Sequence, residues 1–220
     1  MIDLHALHSV ADISRHQARV NGDRIALVFE GRETTYSELD ERTSRVANGL
    51  VAEGCKEGTR IGYLGKNSDY YFEVMLGAAK AKAVIAGVNW RLAAAELDYV
   101  LNNAETEVLF VGAEFYAVIQ ALAPSLKSLR TIIAIDGDHS DWVAFPAWRD
   151  AQEITDLNLP TAPDDDLVQM YTSGTTGNPK GVQLTNGNYL DLMDQAGNGG
   201  WGDWNAGEAN LVAMPIFHVA

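Results

Sequence analysis

Cysteine is almost absent from the 220 residues, with Cys55 standing alone. A single cysteine excludes an internal disulfide and any multi-cysteine metal site, and it suits a reducing, cytoplasmic compartment. Cys55 lies between Gly54 and Lys56 at the expected exit of a helix, an incidental position rather than a nucleophilic one. Basic residues are also scarce, 16 against 30 acids, for a net charge of −14. A chain so acidic is a poor partner for nucleic acid, which is bound by neutralising its phosphates. It equally lacks the polybasic clusters that attract anionic lipid. No run of 18 apolar residues occurs, so no transmembrane segment is expected. Met1 to Val10 lacks the basic-then-apolar profile of a signal peptide. Repeats and low-complexity tracts are absent too.

What is present is an ordinary globular balance, 47% hydrophobic and 21% charged residues. The spacing predicts a helix within Ser9 to Val20, then a strand Ile25 to Phe29 turning at Glu30-Gly31 into Thr34-Thr35. A helix follows, with Ser37 and Asp40 as its capping pair and Gly54 as its stop. Strands are expected at Arg60 to Leu64, Ala83 to Val88, Glu107 to Val111 and Thr131 to Ile135. Between them come helices beginning after Ser68, at Ala94 to Asn103 and at Phe115 to Leu122. Alternation at this spacing implies an α/β fold, a largely parallel sheet flanked by helices. Residues 136–166 read as a connector with one short helix near Trp148 to Glu153. Its acid run Asp164-Asp165-Asp166 is taken as a solvated turn in preference to a metal site. Beyond it are expected a strand Leu167 to Thr172, a return strand Val182 to Thr185 and a helix Asn188 to Gln195. A loop carrying Trp201 and Trp204 and a last strand, Leu211 to Met214, complete the chain.

The stretch between those two strands carries the chemistry. Thr172 to Gly181 reads T-S-G-T-T-G-N-P-K-G. Glycine lets the backbone turn its N–H groups inward and approach a ligand closely. Successive N–H groups form a concave nest for anions. The hydroxyls of Thr172, Ser173, Thr175 and Thr176 add rotatable donors, and Lys180 adds a compact positive charge. All of this favours an oligophosphate over a plain surface turn. A Walker loop, G-x-x-x-x-G-K-[ST], fails at two places: Pro179 stands before the lysine and Gly181 after it. Pro179 has no N–H to donate, and Gly181 has no hydroxyl for magnesium. His5, His8, His16 and His139 show no ligand spacing.

The ten residues resemble, nearly letter for letter, the phosphate-loop signature of the adenylate-forming (AMP-binding) enzymes, which include acyl-CoA synthetases, adenylation domains of peptide synthetases and luciferases. Met214-Pro215-Ile216-Phe217-His218 is similar to the P-x-F-H segment that follows this loop in acyl-CoA synthetases. Asn89-Trp90-Arg91-Leu92, with Glu96-Leu97, is similar to the N-x-R-L…E-L segment that precedes it. The resemblance covers the chain from about Ala11 to Ala220. It implies the N-terminal part of the large domain of these enzymes, with 1–163 a first α/β subdomain plus connector and 164–220 the start of a second. It also implies activation of a carboxylate, such as a fatty acid, by ATP, and its transfer to coenzyme A through an acyl-adenylate. Thr172, Ser173, Gly174, Thr175, Thr176, Gly177 and Lys180 would then bind the nucleotide, with Lys180 acting where pyrophosphate leaves. Thr172 would ligate Mg2+. His218 is either a partly buried strand-end histidine or a substrate-binding residue between the acyl and nucleotide pockets. Trp201 and Trp204 are read as loop packing ahead of an acyl pocket. The family's adenine, ribose and C-terminal lysine segments are not within these residues, so the chain is expected to be an incomplete part, missing the C-terminal part of the same enzyme. Two other readings stay open: an adenylation domain serving a carrier protein, and a short non-catalytic nucleotide-binding protein.

Overall fold

Glu30 and Gly31 both take positive φ, 48° and 78°. Two consecutive left-handed residues make the tight turn that suits the twist of a hairpin. They join β1 (Ile25–Phe29) to β2 (Arg32–Thr35), which pair antiparallel. The computed structural model describes residues 6–172, 178–198 and 207–218. Helix α1 (Ala11–Asn21) precedes the hairpin and α2 (Tyr36–Ala52) follows it. The cap of α2 is Thr35, not Ser37. Thr35 Oγ1 accepts the Glu38 N–H at 3.2 Å, and the Glu38 carboxylate accepts the Thr35 N–H at 2.8 Å. Strand β2 delivers Thr35 in extended conformation, and a glutamate three residues on completes the reciprocal pair. Ser37 already lies in the first helical turn.

The main sheet holds β3 (Arg60–Leu64), β4 (Val84–Gly87), β5 (Val108–Val111), β6 (Thr131–Ala134), β7 (Val143–Ala144), β8 (Asp166–Thr172) and β9 (Lys180–Thr185). Their spatial order is β7-β6-β5-β3-β4-β8-β9. Every neighbouring pair is parallel except β8–β9. Helices α3 (Asp69–Lys80), α4 (Ala94–Asn103), α5 (Tyr116–Leu122) and α6 (Phe145–Asp150) connect the strands, and α7 (Asn186–Asn198) follows β9. The two faces are covered by different helices. Val46 and Leu50 of α2, Val74 and Ala78 of α3, and Phe145 and Trp148 of α6 pack with Val108 and Phe110 on one face. Leu97 and Leu101 of α4 and Ile119 of α5 pack with Leu109 and Val111 on the other. Burial on both faces is why β5 reads as an unbroken apolar run.

Two further expectations shift. The connector helix begins at Phe145, three residues early, because Pro146 suits a first turn and Phe145 and Trp148 then both reach the core. It is preceded by β7, too short to read from the sequence. Residues 211–214 form no strand: Leu211 is 85% exposed, and the carbonyls of Val212 and Met214 accept the Asn67 side-chain amide at 3.2 and 2.8 Å. A side chain stands there in place of a neighbouring strand. Trp201 and Trp204 lie outside the described residues.

The connector is anchored by charge. Lys80 is 0% exposed and donates to Asp40 Oδ1 at 2.8 Å, Ser44 Oγ at 2.8 Å and the Asp40 carbonyl at 3.0 Å. Asp156 completes its shell at 3.1 Å and receives Arg15 in bidentate fashion at 2.8 Å per bond. Burial alone raises the Asp156 carboxyl. Arg15, the Asn158 N–H and Lys80 more than offset that and hold it well below the usual carboxylate range.

Candidate functional site

Strand β8 outruns its parallel neighbour: Gly87, the last residue of β4, pairs with Met170, and β8 continues to Thr172. The chain returns as β9 from Lys180, which stands opposite Thr172. Strands β8 and β9 therefore bring the two ends of the glycine-rich stretch together at the carboxyl edge of a parallel sheet, the edge where open α/β sheets bind ligands. Thr172 and Lys180 are both exposed there. Ser173, Gly174, Thr175, Thr176 and Gly177 lie outside the described residues. Lys180 belongs to β9, two residues ahead of the expected strand start.

The other two motif stretches arrive at the same edge. Residues 215–218 cross the carboxyl end of β4, so closely that a Cβ on Gly87 would lie 3.1 Å from the Phe217 carbonyl oxygen. Asn67, just past β3, holds this segment: its Oδ1 accepts the Ile216 N–H at 3.1 Å, beside its two amide bonds to Val212 and Met214. Phe217 meets the Trp90 ring edge-on at 6.4 Å, which joins the P-I-F-H and N-W-R-L stretches. The Arg91 guanidinium lies over the Trp90 ring, 4.6 Å from its centroid. His218 is exposed, its backbone N–H on the Pro215 carbonyl. Sequence reasoning missed Asn67, although its position between a strand and a capped helix is the kind that carries function.

The loop's flanks are also tied down. Tyr171, beside Thr172, donates its hydroxyl to Asn103 Oδ1 at 2.8 Å and accepts from Gln169 Nε2 at 3.1 Å. Burial pushes the Tyr171 phenol up to about 12, so it remains a donor at neutral pH. Tyr99 donates to the Pro179 carbonyl at 3.3 Å. Gly181, expected to help approach a phosphate, has another duty. A Cβ there would sit 2.5 Å from Gln169 Nε2. No local pattern points to these residues.

A crevice of about 710 Å3 opens farther along the edge, at the ends of β3, β5 and β6, where the strand order reverses. Its rim carries Glu30, Glu114, Asp136 and Asp138 against Arg32 and Lys66. Both bases are already paired, Arg32 with Asp69 and Lys66 with Glu114. That balance of charge repels an oligophosphate.

Among the described residues no group of three or more His, Cys, Asp or Glu could hold a metal. The acid run behaves as a turn: Asp165 accepts the Ala162 N–H and pairs with Lys82, and Asp166 opens β8. Cys55 is buried, and its thiol is raised by that burial, which suits an inert side chain. No described helix is long and apolar enough to cross a membrane.

A profile of the AMP-binding enzyme family matches residues 14–220. The chain belongs to the AMP-binding enzyme family. Among its relatives, the fatty acid–[acyl-carrier-protein] ligase ScoC of Streptomyces coeruleorubidus is 37% identical over 197 residues, 88% of this chain and 36% of that protein. A feruloyl-CoA synthase of an Amycolatopsis species is 35% identical over 209 residues, 93% of this chain and 38% of its own length. The chain thus spans well under half of these family members. Among solved structures, the inhibitor-bound N-terminal domain of FACL13 from Mycobacterium tuberculosis superposes with a TM-score of 0.85 at 28% identity. That match covers 96% of this chain and 52% of that one. The anthranilate CoA ligase AuaEII with anthranoyl-AMP gives 0.80 at 26% identity, covering 89% of this chain and 38% of that one. The mostly parallel sheet with helices on both faces is the family's N-terminal architecture.

Proposed function

We propose that the protein containing these residues is an ATP-dependent acid–thiol ligase. A carboxylate oxygen attacks the α-phosphorus of ATP, the bond to the bridging oxygen breaks, and pyrophosphate leaves. A thiol, that of coenzyme A, then attacks the acyl carbonyl and expels AMP. The observation that carries this reading is the T-S-G-T-T-G-N-P-K-G sequence between two strands whose paired ends lie at the carboxyl edge of the sheet, with Thr172 and Lys180 exposed on them. Phosphoryl transfer asks the protein for position and charge stabilisation more than for a nucleophile. Lys180 supplies positive charge where pyrophosphate departs. Ser173, Gly174, Thr175, Thr176 and Gly177 supply the N–H and hydroxyl donors between the two strands.

The exposed Thr172 hydroxyl would hold a magnesium ion, which would neutralise charge on the phosphates. His218, on a segment fixed by Asn67, would border the acyl group and orient it rather than move a proton. Relatives named for fatty-acid and aromatic acids support a carboxylic acid with a sizeable apolar part. We assign the protein to the cytoplasm on the single, buried cysteine of these 220 residues. A carrier-protein thiol as acceptor is the second reading, favoured by the ligase ScoC, which is named for an acyl carrier protein.

The test is carboxylate-dependent exchange of labelled pyrophosphate into ATP by the whole protein, followed by acyl transfer with coenzyme A or carrier protein as acceptor. Exchange with one class of acid supports the ligase. Its absence across aliphatic and aromatic acids refutes it.

A further inference from the structure

We propose that Asn103 and Tyr99, one turn apart on α4, are positioning residues that hold the two stalks of the glycine-rich loop. The proposal rests on reading that loop as the phosphate site. Residues at i and i+4 share one face of a helix, and here that face meets both flanks of the loop. Asn103 takes the Tyr171 hydroxyl at 2.8 Å, one residue before Thr172. Tyr99 gives its hydroxyl to the Pro179 carbonyl at 3.3 Å, one residue before Lys180. Each residue assigned to phosphate chemistry on a stalk is thus the immediate neighbour of a tethered one.

The tether has a firm base. Leu97, Val100 and Leu101 bury α4 against the sheet, and the Ala93 N–H is capped by Glu96 at 2.8 Å. On the sheet side Arg60 Nε donates to Gln169 Oε1 at 3.1 Å, and Gln169 Nε2 passes the chain of bonds to Tyr171. Gly181 is the residue that lets Gln169 lie there, since any Cβ would displace the amide that Tyr171 accepts. The last glycine of the motif therefore serves the tether. Chemistry that depends on placing groups loses rate steeply when a loop shifts by an ångström, so the bonds act on the reaction without touching the nucleotide.

The experiment uses the whole protein with Asn103→Ala, Asn103→Asp, Tyr99→Phe and, as a control, Tyr116→Phe. The Tyr116 hydroxyl also donates to backbone carbonyl oxygen, but at Asp136 and Gly137, away from the loop. Amide hydrogen exchange is read at Tyr171, Thr172, Lys180 and Gly181, and at Val168 and Leu184 lower in the same hairpin. Loss of one hydrogen bond should speed exchange at the upper four about threefold to tenfold in Asn103→Ala, with little change at the lower two. Tyr99→Phe should act in the same sense at Lys180 and Gly181, Tyr116→Phe should not, and Asn103→Asp, which keeps an acceptor, should restore wild-type rates. In pyrophosphate exchange, Asn103→Ala should raise KM for pyrophosphate about threefold to tenfold while KM for the carboxylate holds. Unchanged loop amides in both variants, or an equal rise along the whole hairpin, overturns the proposal. Wild-type protein without carboxylate-dependent exchange would defeat the ligase reading, and the amide rates would still decide the tether.

Discussion

Replacing Asp156 by asparagine tests the charge cluster that anchors the connector. The wild-type carboxylate takes two bonds from Arg15 at 2.8 Å, one from Lys80 at 3.1 Å and the Asn158 N–H at 2.8 Å. Asparagine keeps the last contact and about the same volume but loses the charge. Lys80 is fully buried and retains Asp40, and Arg15 retains Asp12, so neither cation is wholly stranded. Stripping a buried charge of its partner costs about 3–5 kcal/mol. With a second carboxylate still in place and Asp156 itself 27% exposed, the expected cost is lower, about 2–3 kcal/mol at pH 7. For a domain of this size that lowers Tm by roughly 4–12 °C. The pH dependence has a definite sign. A carboxyl whose folded pKa is depressed contributes stability that is present above its unfolded pKa, near pH 4, and is lost as pH falls through the folded value. The gap between wild type and Asp156→Asn should therefore be full at pH 7 and narrow steadily below about pH 4. Urea unfolding from pH 7 downward measures it. A difference below about 0.5 kcal/mol at pH 7, or one that stays constant to acid pH, refutes this account of the cluster.

Lys180→Ala in the whole protein should lower carboxylate-dependent pyrophosphate exchange roughly tenfold to a hundredfold, the worth of a charge-assisted hydrogen bond of about 1.5–3 kcal/mol. Unchanged kinetics would remove Lys180 from the mechanism. Thr35→Ala should cost about 1 kcal/mol by denaturant unfolding and Ser37→Ala much less, because the reciprocal cap is at Thr35. The reverse ranking would move the cap back to Ser37. The double change Pro179→Gly and Gly181→Ser restores the Walker pattern on paper and should give no ATPase activity, since the serine Cβ would meet Gln169. A gain in ATP hydrolysis would contradict the assignment of the loop.

Features that rest on neighbouring residues were legible in the chain. Alternating apolar runs and helical spacings placed β3 to β6 and α3 to α5, because a strand buried on both faces and a one-sided helix each leave a periodic mark. The loop was legible for the same reason: its glycines, hydroxyls and lysine are contiguous, and their chemistry does not wait on the fold. Features that rest on distant partners emerge only on folding. Folding sets the strand order, brings Phe217 to Trp90, and bonds Asn67 to Val212, Met214 and Ile216 where a strand over Leu211 to Met214 is expected. It also gives Gly181 a role beside Gln169, and the two stalks their bonds to α4. Such contacts join residues tens of positions apart through single hydrogen bonds or ring edges. They leave no periodicity in the chain, and only packing reveals them.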